Sequence, residues 1–358
     1  MIFHNISEAT WCLAKFLLEH GEKRTARDLY FLEVRNVSWE VSNPLFHLLP
    51  VSIARFPHPF QLLYETLWVL SGGSRIDTLK NYIPRAAEFS DDGLTWRGAY
   101  GPRIDAGLRK VISSLLRDTY TRQAYLPIYW SLDTGVMSKD IPCNVGLSFN
   151  RRGDFLDITR FCRSNDLILG YSGINHFEFS ILLALVAGRV GLKPGKYFNY
   201  VVSLHAYDKD MEKLRRIAES DGEAELLHCA TNPSITPTIV DLYLMDYMVT
   251  QEIKYVTKGV EAAWGSRDGS IPPSLSGDVR SSFLNLARQL LLCHVQLRKG
   301  RPVSAAQVFY NAHAIAGWTD LTLMSYLFLA RNKEFKQAVS SLVSIPIVPN
   351  FMEGRHES

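Results

Sequence analysis

The chain has no C-x-x-C spacing, and its five cysteines (Cys12, Cys143, Cys162, Cys229 and Cys293) are scattered and odd in number. That argues against a disulfide framework or a cysteine-ligated zinc site, so no metal is expected and a reducing, cytoplasmic setting is the default. Charge of one sign is lacking as well. The 39 basic and 36 acidic residues leave a formal net charge of +3, too slight for a surface that binds nucleic acid or an anionic membrane. No apolar run approaches the ~20 residues of a membrane span; the longest is Ile181 to Ala187. The opening M-I-F-H-N-I-S-E lacks the basic-then-apolar order of a signal peptide, and there are no repeats or low-complexity tracts. With 358 residues, 47% of them apolar, the chain can bury one large core or two medium ones without covalent help.

Periodicity supplies the elements. Residues 7–20 place Trp11, Leu13, Ala14, Leu17 and Leu18 at helical spacing, with Ser7 able to cap the start and Gly21 closing the end. Arg24 and Arg27 fall on a basic turn before an alternating strand, V-R-N-V-S-W-E-V, where solvated charges are also ordinary. Gln61 to Leu70 is a strongly apolar helix stopped by Ser71-Gly72-Gly73. Glu65 lies inside that run, so it either occupies a wet face or is paired, hydrogen-bonded or protonated.

Phe89 to Arg103 reads as a loop, residues 105–118 as a helix, and Arg122 to Tyr129 as a strand that Pro127 confines to an edge or bulge. Val145 to Phe161 is a hairpin turning at Arg152-Gly153-Asp154. Asn175 to Val190 is the strongest helix, and Tyr197 to Leu204 a further strand. Beyond Met211 the chain is helical over most of residues 239–259, 279–299 and 304–338, with Gly265 to Asp278 as a linker. The expectation is an α+β fold, with helices on a mixed, largely antiparallel sheet over residues 1–210 and a mostly helical C-terminal region over 211–358.

Chemistry concentrates between Asp140 and Tyr207. Cys143 follows a proline, R-S-N-D runs from Arg163 to Asp166 twenty residues after that thiol, and H-A-Y closes the stretch at His205 to Tyr207. A thiol, forked cationic donors, carboxylates, an amide and an imidazole form a set of active-site parts. His205 and Tyr207, two apart on a strand, share a face.

These motifs, with the helix around Glu65, G-A-Y-G at Gly98 to Gly101 and R-Q-A at Arg122 to Ala124, resemble the thymidylate synthase and pyrimidine nucleotide hydroxymethylase family over roughly Gly21 to Tyr207. The resemblance implies a thymidylate synthase-like fold and a homodimer. It makes Cys143 the nucleophile that adds to carbon 6 of a pyrimidine, with Arg163 beside it raising its thiolate fraction. Arg24, Arg163 and Ser164 from one subunit and Arg122 from its partner would hold the substrate phosphate. His205 and Tyr207 would bind the sugar hydroxyl, and Asn175 would read the base edge, turning over to suit uracil or cytosine. Glu65 and Tyr100 would move protons, and Asp166 would bind the pterin of 5,10-methylenetetrahydrofolate, the one-carbon donor. Glu178, one turn past Asn175, is a speculative further contact to the base, or structural.

Two departures bear on the reaction. Asn144 follows the cysteine where the family has histidine, and Ala86 and Phe89 stand where it carries covering tryptophans. A smaller cover admits water to the methylene carbon, and water attack gives a hydroxymethyl rather than a methyl product. Trp96 on the same loop could replace that cover. The resemblance therefore implies folate-dependent hydroxymethylation of CMP or dCMP, with dUMP as a second substrate. Ordinary thymidylate synthesis, or a scaffold that binds without catalysis, are the alternatives.

Overall fold

The computed structural model describes residues 1–26, 28–50, 57–220, 248–317 and 319–344. Eight strands form one sheet: β1 (Ile2–Phe3), β2 (Glu22–Ala26), β3 (Leu29–Val41), β4 (Tyr125–Pro127), β5 (Asn144–Arg152), β6 (Phe155–Cys162), β7 (Asn165–Asp166) and β8 (Lys193–Tyr207). The order is β1-β3-β8-β6-β5-β4, with β2 beside β3 and β7 beside β8. The β2/β3, β3/β8, β4/β5 and β5/β6 pairs are antiparallel, and β1/β3, β6/β8 and β7/β8 are parallel. The expected α+β architecture is therefore present, and Pro127 does sit in an edge strand.

The first half of the chain adds helices α1 (Ile6–His20), α2 (Pro59–Leu70), α3 (Tyr100–Arg117), α4 (His176–Arg189) and α5 (Met211–Glu219). Local chemistry differs from the sequence reading in four places. Asn5, not Ser7, caps α1, accepting from the Ser7 and Glu8 amides at 2.9 and 3.1 Å. The basic stretch bearing Arg24 is strand β2 rather than a turn; all five of its residues are exposed, so no apolar alternation marked it. The loop from Phe89 ends early, because α3 begins at Tyr100 without a capping side chain. Asp166 caps a π-helical segment, Leu167–Asn175, that leads straight into α4. By length and composition Leu167–Arg189 suffices to cross a membrane, but 83% of its most apolar window is buried, which marks a core helix.

The β5–β6 hairpin turns through Gly153, at φ +60°, a left-handed conformation that glycine adopts freely. Side chains alternate on β8: Tyr197, Asn199 and Val201 point inward, while Tyr200 and Val202 are exposed. On that outer face Phe161 lies 6.2 Å from Tyr200 and 6.3 Å from Tyr125, centroid to centroid.

The second half supplies α6 (Met248–Gly265), α7 (Ser282–Arg298), α8 (Pro302–Ala316), α9 (Asp320–Leu329) and α10 (Lys333–Ser340). The expected helix over 304–338 is thus three helices, broken first at Gly317 (φ +62°). The part of the 239–259 helix before residue 248 lies outside the described residues, as do Arg27 and Cys229. These helices continue the apolar core: eleven of the twelve α2 residues are buried. Thr257 donates to the Leu67 carbonyl at 3.4 Å, Tyr64 to Glu261 at 3.2 Å, and Trp264 to the Tyr82 hydroxyl at 2.8 Å. Phe60 stacks on His294 at 4.6 Å with Phe328 at its edge. The segment Gly265 to Asp278 is fastened rather than loose, through Gln296 to the Gly269 carbonyl (2.9 Å) and Arg288 to the Gly277 carbonyl (2.6 Å).

Phe60→Ala should therefore cost about 3–5 kcal/mol in denaturant unfolding, the range for deleting a fully buried aromatic side chain. A loss below about 1 kcal/mol would mean that the C-terminal helices do not dock on α2.

Candidate active site

The C-terminal ends of β6 and β8 and the start of β5 meet at one end of the sheet. Asn144 pairs with Cys162, Asp166 with His205, and Phe31 with Tyr207. The hairpin register brings Cys143 to Arg163, whose Nη2 lies 3.8 Å from the sulfur. Arg163 also fixes the loop that carries the thiol, donating to the Ile141 and Pro142 carbonyls at 2.9 Å each. Cys143 is exposed, while Cys162 behind it is buried and donates to the carbonyls of Cys143 and Ser164 at 3.3 and 3.1 Å.

Arg163 pulls the Cys143 pKa down, the direction expected of it, but does not leave the thiol ionised at neutral pH. Protein atoms crowded around the sulfur push the thiol up to about 11, and Arg163 opposes this without overcoming it. Desolvation of the thiolate outweighs one guanidinium at 3.8 Å.

Beneath the thiol lies a residue that sequence reasoning missed. Arg160 has no exposed surface, and its hydrogen-bond partners are four carboxamide oxygens. Nε donates to Asn199 at 3.0 Å, Nη1 to Asn144 and Asn175 at 3.0 Å each, and Nη2 to Asn165. Parity was the available signal, since Leu156, Ile158, Arg160 and Cys162 alternate onto the inward face of β6. Asn144 spans two neighbours, giving its oxygen to Arg160 and its Nδ2 to the Tyr100 hydroxyl at 2.9 Å. Asn175 accepts from both Arg160 and Asn165 (3.1 Å) with the same oxygen. Both lone pairs of that oxygen are thus engaged by groups that donate.

Two carboxyls on adjacent helices are buried near this web. Glu65, with Gln61 donating at 3.2 Å, is pushed up to about 7 by burial. Glu178, with Oε1 lacking a hydrogen bond, is held well above the usual carboxylate range by burial and by the charge of Glu65, against the pull of Arg160. Burial likewise keeps the Tyr100 phenol neutral. Asp166 gives one oxygen to the Ile168 and Leu169 amides at 2.7 and 3.2 Å, while its other oxygen is sealed without a partner. Burial raises its pKa.

The remaining residues spread further. His205 and Tyr207 meet edge to face at 5.1 Å. The Ser164 hydroxyl follows Arg163 at the turn into β7. Arg24 stands opposite Phe31, itself opposite Tyr207, so it lies two strands out and is paired with Glu22. Arg122 is not brought in. The neighbouring Tyr120 packs under Arg151 at 4.9 Å, at the hairpin end of β5, about 26 Å of extended strand from Cys143.

The thymidylate synthase family profile matches residues 13–258. The chain belongs to the thymidylate synthase family. Among its relatives, a deoxyuridylate hydroxymethyltransferase of Delftia phage PhiW-14 is 34% identical over 215 residues, covering 56% of this chain and 60% of that protein. One of Bacillus phage SP01 is 34% identical over 211 residues, covering 54% and 55%. Thymidylate synthase of Haemophilus influenzae (strain PittEE) is 29% identical over 211 residues, covering 55% and 73%. The chain thus spans little more than half the length of these two phage relatives.

Two outcomes follow for this member of the family. Iodoacetamide alkylation of Cys143 should accelerate about tenfold per pH unit between pH 7 and 10, and Arg163→Gln should slow it at every pH. A rate that is flat over that range would show a thiol already ionised. For Glu65 the folded chain keeps its proton up to about pH 7, whereas an ordinary carboxyl releases it near 4.5. Stability should therefore fall as pH rises through that window. Glu65→Gln should be near neutral at pH 4 and stabilise by ~2–3 kcal/mol at pH 8. Equal effects at both pH values in urea titrations would exclude a buried, protonated Glu65.

Proposed function

We propose that the protein transfers a one-carbon unit to carbon 5 of deoxyuridylate and releases it as hydroxymethyl. The observation that carries this is the solvent-open Cys143 thiol 3.8 Å from Arg163, at the sheet end that also holds Asp166, His205 and Tyr207. Relatives named deoxyuridylate hydroxymethyltransferase move the base from the cytidine favoured by sequence toward uracil.

In this reading Cys143 adds to carbon 6 and makes carbon 5 nucleophilic. Arg163, Ser164 and Arg24 hold the phosphate, and His205 and Tyr207 the sugar hydroxyl. 5,10-Methylenetetrahydrofolate supplies the carbon when bound, and Asp166 is the residue that would hold its pterin. Glu65, poised near neutrality, exchanges a proton with the base and its water. Tyr100 presents a neutral hydroxyl beside the thiol for loss of the carbon-5 proton. Loss of that proton and departure of tetrahydrofolate leave an exocyclic methylene on the Cys143 adduct; water adds to the methylene carbon as the Cys143 thiolate leaves carbon 6. Support for water over hydride comes from the cover: Ala86 is buried, and Trp96 is tied to its carbonyl at 2.8 Å and packed on Trp68.

The enzyme acts as a homodimer in this proposal. Arg122 is remote from its own thiol, and Phe161, Tyr200 and Tyr125 leave an apolar patch on the uncovered sheet face, which suits a second copy donating Arg122.

Incubation with labelled methylenetetrahydrofolate and each of CMP, dCMP, UMP and dUMP, followed by mass analysis, should yield 5-hydroxymethyl-dUMP. A methyl product with dihydrofolate formed would make the enzyme a thymidylate synthase, and no nucleotide binding would make it a scaffold. Arg122→Ala and Cys143→Ala, each inactive alone, should regain about a quarter of wild-type activity when mixed and allowed to exchange subunits, since one intact site forms per heterodimer. No recovery after proven exchange would exclude the shared site.

A further inference from the structure

The loop that carries Trp96 runs beside the segment that carries Cys143, and the two are tied on both sides of the thiol. Upstream of Cys143, Asp140 accepts from the Gly98 amide at 2.7 Å. Directly after it, Asn144 donates to the Tyr100 hydroxyl at 2.9 Å. Further out, Asp91 accepts from the Ser138 hydroxyl at 2.6 Å and from the Lys139 amide at 3.0 Å. The other edge of the loop is fixed to the turn after α2, where the Trp96 amide donates to the Ser74 carbonyl at 2.9 Å and Thr95 bridges to Arg75. The loop is therefore a layer held between the helix that bears Glu65 and the segment that bears the nucleophile.

Among these ties the one to Asp140 is both the most closely fitted and the nearest to the thiol on its upstream side. Gly98 is buried, and a Cβ placed on it would lie 2.9 to 3.0 Å from the carboxyl carbon and both oxygens of Asp140. Only a residue without a side chain lets the carboxyl rest against the backbone in this way, and a hydrogen bond to a carboxylate is stronger than one between neutral groups. The methylene carbon formed in the proposed reaction is an electrophile open to any nucleophile that reaches it. What reaches it depends on the gap between the Trp96 loop and the Cys143 segment. We propose that Asp140 is a positioning residue that sets this gap: by latching Gly98 it fixes the Trp96 loop against the nucleophile segment, leaving room for water and shutting out larger nucleophiles. This rests on the hydroxymethyl reading of the site.

Turnover of dUMP and methylenetetrahydrofolate by the full chain in the presence of 2-mercaptoethanol tests it. The sulfur of that thiol adds to the methylene carbon as the Cys143 thiolate leaves carbon 6 and takes up the proton, giving a thioether in competition with the hydroxymethyl product. Mass analysis reads the ratio of the two, and wild type should give chiefly hydroxymethyl. Asp140→Ala removes the acceptor and should raise the thioether share at least about tenfold, the size of one hydrogen bond to a charged group. Asp140→Asn still offers Gly98 an oxygen and should stay within about threefold of wild type. Gly98→Ala should behave as Asp140→Ala does, because its Cβ displaces the carboxyl, and should add little once Asp140 is already Ala. A general structural role for Asp140 would lower turnover and leave the product ratio unchanged.

An unchanged ratio in Asp140→Ala, or full additivity of the two substitutions, overturns the inference. Should Asp140→Ala turn over too slowly to read, amide hydrogen exchange decides: the Gly98 amide should exchange at least about tenfold faster than in wild type while β5 is unaffected, and equal exchange overturns it. Should Asp140→Ala not fold, the product ratio of Gly98→Ala decides, and a wild-type ratio there overturns it. A methyl product from wild type, or none at all, overturns the functional reading and this inference together. Hydroxymethyl formation with a ratio indifferent to Asp140 overturns the inference alone.

Discussion

A guanidinium sealed in the core, solvated by amides instead of a carboxylate, is the constraint from which the site is built. Moving such a charge out of water is costly unless every donor finds an acceptor. Arg160 meets most of that demand, four of its five N–H groups, by drawing one asparagine each from β5, β7, β8 and the end of the π-helical segment. Four separate pieces of backbone are thereby fixed against one planar group. The web has no hydrogen bond from the nearby carboxyl of Glu178, whose pKa burial and Glu65 push upward. A carboxylate in place of the amides would neutralise the charge, but it could not pass hydrogen bonds onward to its neighbours, because an ionised carboxylate only accepts.

That onward transfer reaches the thiol. Asn144 accepts from Arg160 and donates to Tyr100, so the residue after the nucleophile is clamped from below and from the side. Arg163 clamps the residues before it by binding two carbonyls. The two arginines divide the work by exposure: the buried one sets positions, and the one beside the sulfur biases its charge. Position is secured more firmly than charge, since the thiol remains hard to ionise. Reactivity is thus held back in the free protein by the protein atoms packed around a sulfur that still opens to solvent on one side.

Local periodicity and chain-local motifs were legible in the sequence. The hairpin of β5 and β6 returns the chain on itself, so the interval between Cys143 and Arg163 was a spatial statement written in sequence spacing. Glu65, inside an apolar run, is buried with a raised pKa, one of the options its pattern left open. What failed to show depended on non-local pairing or on rare backbone. β2 is exposed along its whole length, so it carried no alternation. The π-helical segment needs one residue more per turn than helical spacing assumes, and its Gly173 departs from helical dihedrals. Arg160 sat on the inward parity of a strand, where a lone cation reads as an anomaly until its four amide partners, far apart in sequence, are seen together.

The C-terminal helices enter the same physical account, although their sequence announces no chemistry. Phe60, Tyr64 and Leu67 lie on the face of α2 that α6, α7 and α9 cover. Glu65 is one position from Tyr64, about 100° further round the helix, where it meets Gln61 and the charge field of Glu178 on α4. The C-terminal helices therefore bear on the carboxyl only through α2 itself: they bury the face that seats the helix, and the seated helix holds Glu65 beside α4.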